Sequence, residues 1–230
     1  MIFAAAALAL LAQPSLSTDG RTIAFVSGGN VWTVSATGGT ARLLVADGAT
    51  NERPIFSPDG TKLAYISSKT GNGDIYVLRL SDGAVSRLTY DDGYDQLDGW
   101  SADGRYVYFD NSSRNIYGAH DIYRVRDSGG TPMRIVAQPY MNVYLAAPSP
   151  RDETLAFDAR GFAGSQWWRV GHSHLDECQI WLRTADGRYE QVTPGNAKDE
   201  WPMWSRDGSA LYFMSDRSGA QNLWEQRPGG

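Results

Sequence analysis

Five segments of this chain align without gaps, and any fold proposed for it has to explain them. They are "LSTDGRTIAF" from Leu16, "FSPDGTKLAY" from Phe56, "WSADGRYVYF" from Trp100, "PSPRDETLAF" from Pro148 and "WSRDGSALYF" from Trp204. Their serines are Ser17, Ser57, Ser101, Ser149 and Ser205, and the interval between them lengthens steadily along the chain. Self-similarity at this period marks an array of supersecondary units, each unable to bury its apolar face alone.

The physics of one unit is readable directly. In Ser57-Pro58-Asp59-Gly60 the proline presets φ at the first corner, the aspartate can bond back to the backbone, and the glycine accepts positive φ. "KLAYIS" follows and is apolar on both alternating faces, as required of a strand in a sheet covered on both sides. A second apolar strand comes next in every unit: "NVWTV", "DIYVL", "DIYRV", "QIWLR" and "NLWEQ". A glycine-bearing turn then leads to an outer strand, as in "SDGAVSRLTY". With an inner strand such as "RPIFS" before the corner, each unit has four antiparallel strands in about 40–45 residues, the size of a propeller blade. A stack of sandwiches is the competing architecture. The fold class expected is all-β, a β-propeller with four complete blades, starting near 13, 53, 97 and 143, and an incomplete fifth starting near 200. That fifth unit reaches "NLWEQ" and then "RPGG", where earlier units turn into their outer strand. An open sheet edge is a liability, so the 230-residue chain reads as a fragment of a larger ring that would associate through that edge.

Fourth-unit residues Arg151 and Asp152 replace the Asp-Gly of the other corners, so Asp152 is expected to take the left-handed position. The N-terminus differs from the rest. Ile2 to Ala12 is an unbroken apolar run, the size of a signal-peptide core and too short to span a bilayer. Residues 1–12 therefore read as a signal-like segment and 13–230 as the propeller, although no Lys or Arg precedes the run and Leu10 sits where a small residue suits cleavage better. A buried first segment is the alternative. A periplasmic or secreted location follows from the first reading. The net charge of -5 leaves no basic stripe, which argues against nucleic-acid partners. Cys178 is the only cysteine, so no intrachain disulfide forms and the thiol reads as a small buried hydrophobe.

These repeats resemble the WD-like repeats of TolB and of the N-terminal propeller of tricorn-type serine peptidases, on "FSPDGTKLAY…GDIYVLRLSDGAVSRLT" and its four counterparts. The stretch "SQWWRVGHSHLDECQIWL" resembles the fourth-blade region of secreted bacterial members of the tricorn group. The resemblance implies that nucleophile and base lie in a separate domain after the propeller, so no catalytic residue carries over to any position here. It also implies a peptide or protein substrate or partner and a downstream peptidase domain, with no cofactor. A free-standing TolB-like interaction propeller is the alternative, and a metal-dependent propeller hydrolase a third reading.

The candidate site comes from loop lengths. The stretch from the repeat serine to the first residue of the third strand grows from unit to unit: Ser17 to Asn30, Ser57 to Asp74, Ser101 to Asp121 and Ser149 to Gln179. Unit four thus carries an insertion, "QWWRVGHSHLDE", on the face where the second-to-third-strand loops gather. Trp167, Trp168 and Arg169 have the anchor chemistry of a docking patch, and His172, His174, Asp176 and Glu177 accompany them. His172, His174 and Asp176 share one side of an extended segment, a weak zinc-ligand pattern. The bland alternative is a Trp pair that plugs the ring while the His and acids satisfy each other. His120 and the acids Asp91, Asp92, Asp95, Asp98, Asp199 and Glu200 are expected on loops of the same face. There is no Gly-x-Ser-x-Gly elbow, no His-Glu-x-x-His and no phosphate-cradling glycine loop.

Overall fold

The computed structural model describes residues 10–161 and 177–227. Its described residues form four four-stranded antiparallel sheets and one of three strands, each a simple meander. Blade one contains β1 (Ala12–Leu16), β2 (Thr22–Ser27), β3 (Asn30–Ser35) and β4 (Arg42–Val45). Blade two contains β5 (Asn51–Phe56), β6 (Lys62–Ser67), β7 (Asp74–Arg79) and β8 (Val85–Arg87). Blade three contains β9 (Gln96–Trp100), β10 (Tyr106–Asn111), β11 (Asp121–Arg126) and β12 (Met133–Val136). Blade four contains β13 (Met141–Pro148), β14 (Leu155–Gly161), β15 (Gln179–Arg183) and β16 (Tyr189–Gln191). The fifth sheet contains β17 (Asp199–Trp204), β18 (Leu211–Ser215) and β19 (Asn222–Gln226). This is the β-propeller the repeats predict, four complete blades and a three-stranded fifth.

Blades hold together because second strands are apolar on both faces. Along β6, Leu63 and Tyr65 pack into the cluster shared with blade one, including Ala24 and Val31. Ala64 and Ile66 pack the other way, against Leu97, Trp100 and Phe109 of blade three. Period-two alternation thus feeds two cores at once, where a half-exposed sheet would feed one. The inner strands β1, β5, β9, β13 and β17 touch in that order. Indoles cross the seams: Trp100 Nε1 donates to the Ile55 carbonyl at 3.0 Å and Trp204 Nε1 to the Ala147 carbonyl at 2.9 Å.

The recurring corner has a hydrogen-bond explanation. In Ser57-Pro58-Asp59-Gly60 the serine Oγ donates to Asp59 Oδ1 at 2.6 Å and accepts from the Lys62 amide at 2.9 Å. Asp59 Oδ1 also accepts from the Thr61 amide, and Gly60 takes φ +69°. Blade four departs from the expectation for its corner. Asp152 is not among the residues with positive φ, and its Oδ1 instead accepts from the Thr154 amide at 2.9 Å. The acid has moved one position along and still does the acid's work, so the corner turns without a left-handed residue.

The loop acids also need correction. Asp98 lies within β9, and Asp199 and Glu200 within β17, so these three belong to inner strands and not to loops. Asp95, just before β9, and Asp199 are fully buried. Asn111 Nδ2 reaches Asp95 Oδ1 at 2.6 Å and Arg217 Nη2 reaches Asp199 Oδ1 at 2.8 Å. Sequence alone cannot separate an acid capping a strand end from an acid in water, because both sit beside turn residues.

Candidate functional site: the axial channel

Every inner strand is bulged, and the bulge decides what faces the propeller axis. Pairing slips between Glu52 and Ile55 in β5, between Tyr144 and Ala147 in β13, and between Glu200 and Met203 in β17. At this position Gln13, Arg53, Leu145 and Trp201 adopt φ of 52°, 47°, 50° and 62°, left-handed values that side chains rarely take. Pro14, Pro54 and Pro202 follow three of them, and a residue without an amide hydrogen fits a place where the ladder is interrupted. Bulges re-aim side chains, and these four are turned toward the centre of the ring.

Three cavities lie along that centre, one of about 440 Å³ lined by Gln13, Arg53 and Trp201 and two larger ones. Of the larger two, one, of about 620 Å³, sits on the corner side and is lined by Trp100, Trp204, Met203, Pro148 and Arg53 among others. The other, of about 490 Å³, sits on the opposite side and is lined by Tyr94, His120, Asn142, Tyr144 and Arg160. Leu145 and Trp201 line both. Trp201 is 49% exposed and Met203 equally so, an unusual exposure for such apolar groups on inner strands. The indole nitrogens of Trp100 and Trp204 are tied to backbone carbonyls, so their rings are fixed as walls.

A polar layer stands behind these walls. Arg53 sends Nε and Nη1 to the Gln96 side-chain oxygen at 3.0 and 2.8 Å once that amide is oriented to accept, and its own amide donates to Gln13 Oε1 at 2.7 Å. His120 Nδ1 lies 2.6 Å from Asp110 Oδ1, and the Leu145 amide donates to Asp110 Oδ2 at 3.3 Å. One blade on, the Trp201 amide donates to Asp158 Oδ2 at 3.2 Å. The amides freed by two bulges are therefore taken by acids on the second strand of the preceding blade.

Burial pushes the Asp158 carboxyl well above the usual carboxylate range, with Glu200, Asp110 and Asp199 adding to it against the pull of the Trp201 amide. Asp98 is raised likewise, by burial first and by Asp110 second, against Arg53. Both Asp98 oxygens are buried, and the backbone amide of Ala146 pulls the carboxyl down against that burial. Such a placement favours the protonated form of the carboxyl. Burial raises the Asp95 carboxyl to about 7.

The catalytic possibilities of this layer are limited. Among the described residues no hydroxyl or thiol hydrogen-bonds the free nitrogen of His120, and no group of three His, Cys, Asp or Glu could hold a metal ion. Cys178 is fully buried beside Tyr144, and burial pushes its thiol far up, the reverse of an activated nucleophile.

Of the residues singled out from sequence, Trp167, Trp168, Arg169, His172, His174 and Asp176 lie outside the described residues. Glu177 is described, half-buried next to Cys178. The axial residues Gln13, Arg53, Leu145 and Trp201 were missed, and Asp98 was expected on a loop. A signal for three of the missed residues existed: Gln-Pro, Arg-Pro and Trp-Pro each place proline at the same offset before the corner serine, at positions 14, 54 and 202. Proline inside a strand demands a bulge or an edge, and here it marks the bulge that builds the channel.

Comparison with known proteins agrees with this architecture. The chain is 28% identical over 220 residues to tricorn protease homolog 1 of Streptomyces coelicolor, covering 89% of this chain and 19% of that protein. The crystal structure of the tricorn protease superposes with a TM-score of 0.72 at 20% identity, covering 96% of this chain and 22% of the other. TolB from Acinetobacter baumannii superposes with a TM-score of 0.71 at 20% identity, covering 95% of this chain and 52% of the other. The chain thus spans about a fifth of the length of its Streptomyces relative. No described helix is long and apolar enough to cross a membrane. The model of the tricorn protease N-terminal β-propeller domain matches residues 8–230, and with the bulged, repeated four-stranded blades this places the chain in that family.

Proposed function

We propose that this chain is the non-catalytic propeller of an exported tricorn-like serine peptidase, binding peptide in its axial channel and guiding it toward a catalytic domain carried elsewhere in the polypeptide. The observation that carries the reading is the channel itself. Bulges turn Arg53, Leu145 and Trp201 inward, and seam-anchored indoles wall a cavity of about 620 Å³. Apolar walls with a few placed polar groups suit an extended segment with little sequence demand. Among the described residues there is no nucleophile–base pair to act on it. Export, with a periplasmic or extracellular location, rests on the apolar run Ile2 to Ala12.

A free-standing TolB-like interaction propeller is the second reading. Ile116, Tyr117 and Tyr140 stand exposed, with the two tyrosine rings 5.7 Å apart, as a protein-docking patch would require. Reading the gene past codon 230 separates the two. Continuation into a peptidase domain is the expected result, and a stop codon there would favour the second reading.

A further inference from the structure

The loop-side cavity contains a cation that pairs with no carboxylate among the described residues. Arg160, at the end of β14, is half-buried and lines the space of about 490 Å³, with its guanidinium carbon 5.7 Å from the centre of the Tyr144 ring. It has no ion pair or hydrogen bond to any described side chain, whereas Arg87, Arg114 and Arg217 each reach a carboxylate within 2.9 Å. His120 faces the same space. Its ring is held from behind by Asp110, which is 1% exposed and has one oxygen on His120 Nδ1 and the other on the Leu145 amide. That bond fixes the ring and leaves Nε2 without a described partner. Asn142 accepts the His120 amide through Oδ1 at 3.0 Å, which leaves its carboxamide N–H groups for a ligand. Tyr94, Tyr144 and Trp201 complete the wall.

We infer that this cavity is a subsite for the carboxylate of an acidic side chain, Glu or Asp, on the peptide the channel receives. The inference rests on the peptide-receiving reading and adds a specificity to it. Arg160 offers the planar fork that matches a carboxylate, and the Asn142 carboxamide offers donors beside it. Burial weakens the opposition that Asp98 and Asp158 would offer to an incoming anion. Asp110 is hydrogen-bonded to His120, and burial raises the Asp98 and Asp158 carboxyls well above the usual carboxylate range, in favour of their neutral form. The aromatic lining from Tyr94, Tyr144 and Trp201 suits the short apolar stem of Glu and lowers the local dielectric, which strengthens the ion pair.

The test uses the purified full chain and fluorescent hexapeptide pools, N-acetylated and C-amidated, with one fixed position and five drawn from Gly, Ala, Ser, Leu and Val. Polarisation should show the fixed-Glu pool bound about tenfold more tightly than the fixed-Gln pool, a difference of about 1.4 kcal/mol. Arg160→Met should reduce the ratio to below about twofold without weakening the Gln pool, and Arg160→Lys should keep part of it. Equal binding of Glu and Gln pools by the wild-type chain overturns the subsite while leaving peptide reception intact, and needs no variant to fold. A Gln pool ending in a free carboxylate that binds as tightly as the amidated Glu pool also overturns it, since the site would then read chain ends. Failure of every pool to bind up to millimolar concentration removes the peptide-receiving reading and the subsite together.

Discussion

The main-chain amide of Trp201 donates to Oδ2 of Asp158 across the seam between blades four and five, at 3.2 Å. The donor is free because a bulge has taken it out of the ladder, and the acceptor is a carboxyl with no exposure to solvent. This bond fixes the exposed indole of Trp201 at the junction of the two larger axial cavities.

The pair has a pH signature. Burial holds the Asp158 carboxyl above its ordinary 3.8, so the native state keeps a proton that the unfolded chain releases. Stability from this group is full below the unfolded pKa and is lost as pH rises from there toward the folded value. Asp158→Asn keeps an oxygen for the Trp201 amide and has no charge to bury. It should be more stable than wild type at pH 8, by roughly 1–3 kcal/mol, and no more stable at pH 3.5. Urea denaturation at both values checks this, and a variant less stable at pH 8 contradicts the assignment.

The corner makes the opposite pH prediction. Ser101 Oγ donates to Asp103 Oδ1 at 2.7 Å, and this bond is the largest of those holding the Asp103 carboxyl down at about 2. A depressed carboxylate stabilises the fold above its unfolded pKa, and the contribution is lost as pH falls through about 2. Ser101→Ala should cost about 1 kcal/mol at neutral pH and move the Asp103 titration, followed by NMR, upward toward 3.8. An unmoved titration would show that the backbone alone sets it.

The seam indoles can be tested by removing only the nitrogen. Trp204→Phe keeps most of the ring but loses the 2.9 Å bond to the Ala147 carbonyl, leaving a seam acceptor unsatisfied. A loss of about 1–2 kcal/mol is expected in chemical denaturation. No change would mean that water replaces the indole N–H.

The blade-four insertion stands as a docking proposal. Trp167→Ala with Trp168→Ala should weaken peptide or partner binding by at least ~2 kcal/mol, while His172→Ala with His174→Ala should change it little. Stoichiometric Zn²⁺ lost on His172→Ala would reverse that ranking in favour of a metal site.

Export predicts that protein recovered from the periplasm begins near Gln13 by mass. Recovery of chains beginning at Met1 from the cytoplasm contradicts it.

What the sequence determined by itself was the repeat and everything local to it. The corner Ser-x-Asp-Gly is a closed hydrogen-bond unit running from Ser57 to Lys62, so Ser57, Asp59 and Gly60 announce it without help from the rest of the chain. The two-faced apolar strand is equally local, since "KLAYIS" shows that both sheet faces are covered before any neighbour is known. Even in blade four the chain turned where expected, although Asp152 did it by hydrogen bonding and not by positive φ. The channel was decided elsewhere. Which inner-strand side chain meets the axis depends on a single-step register slip, and a slip exchanges inward for outward. Arg53, Leu145 and Trp201 acquire their direction from pairing with β6, β14 and β18, and the dipeptides Arg-Pro and Trp-Pro only mark where the slip can occur. The buried acids were hidden for a related reason. Asp98, Asp110 and Asp158 lie on three separate strands, β9, β10 and β14, and only the packing of successive blades buries Asp98 and Asp158 and brings Asp110 near them, which raises both carboxyls.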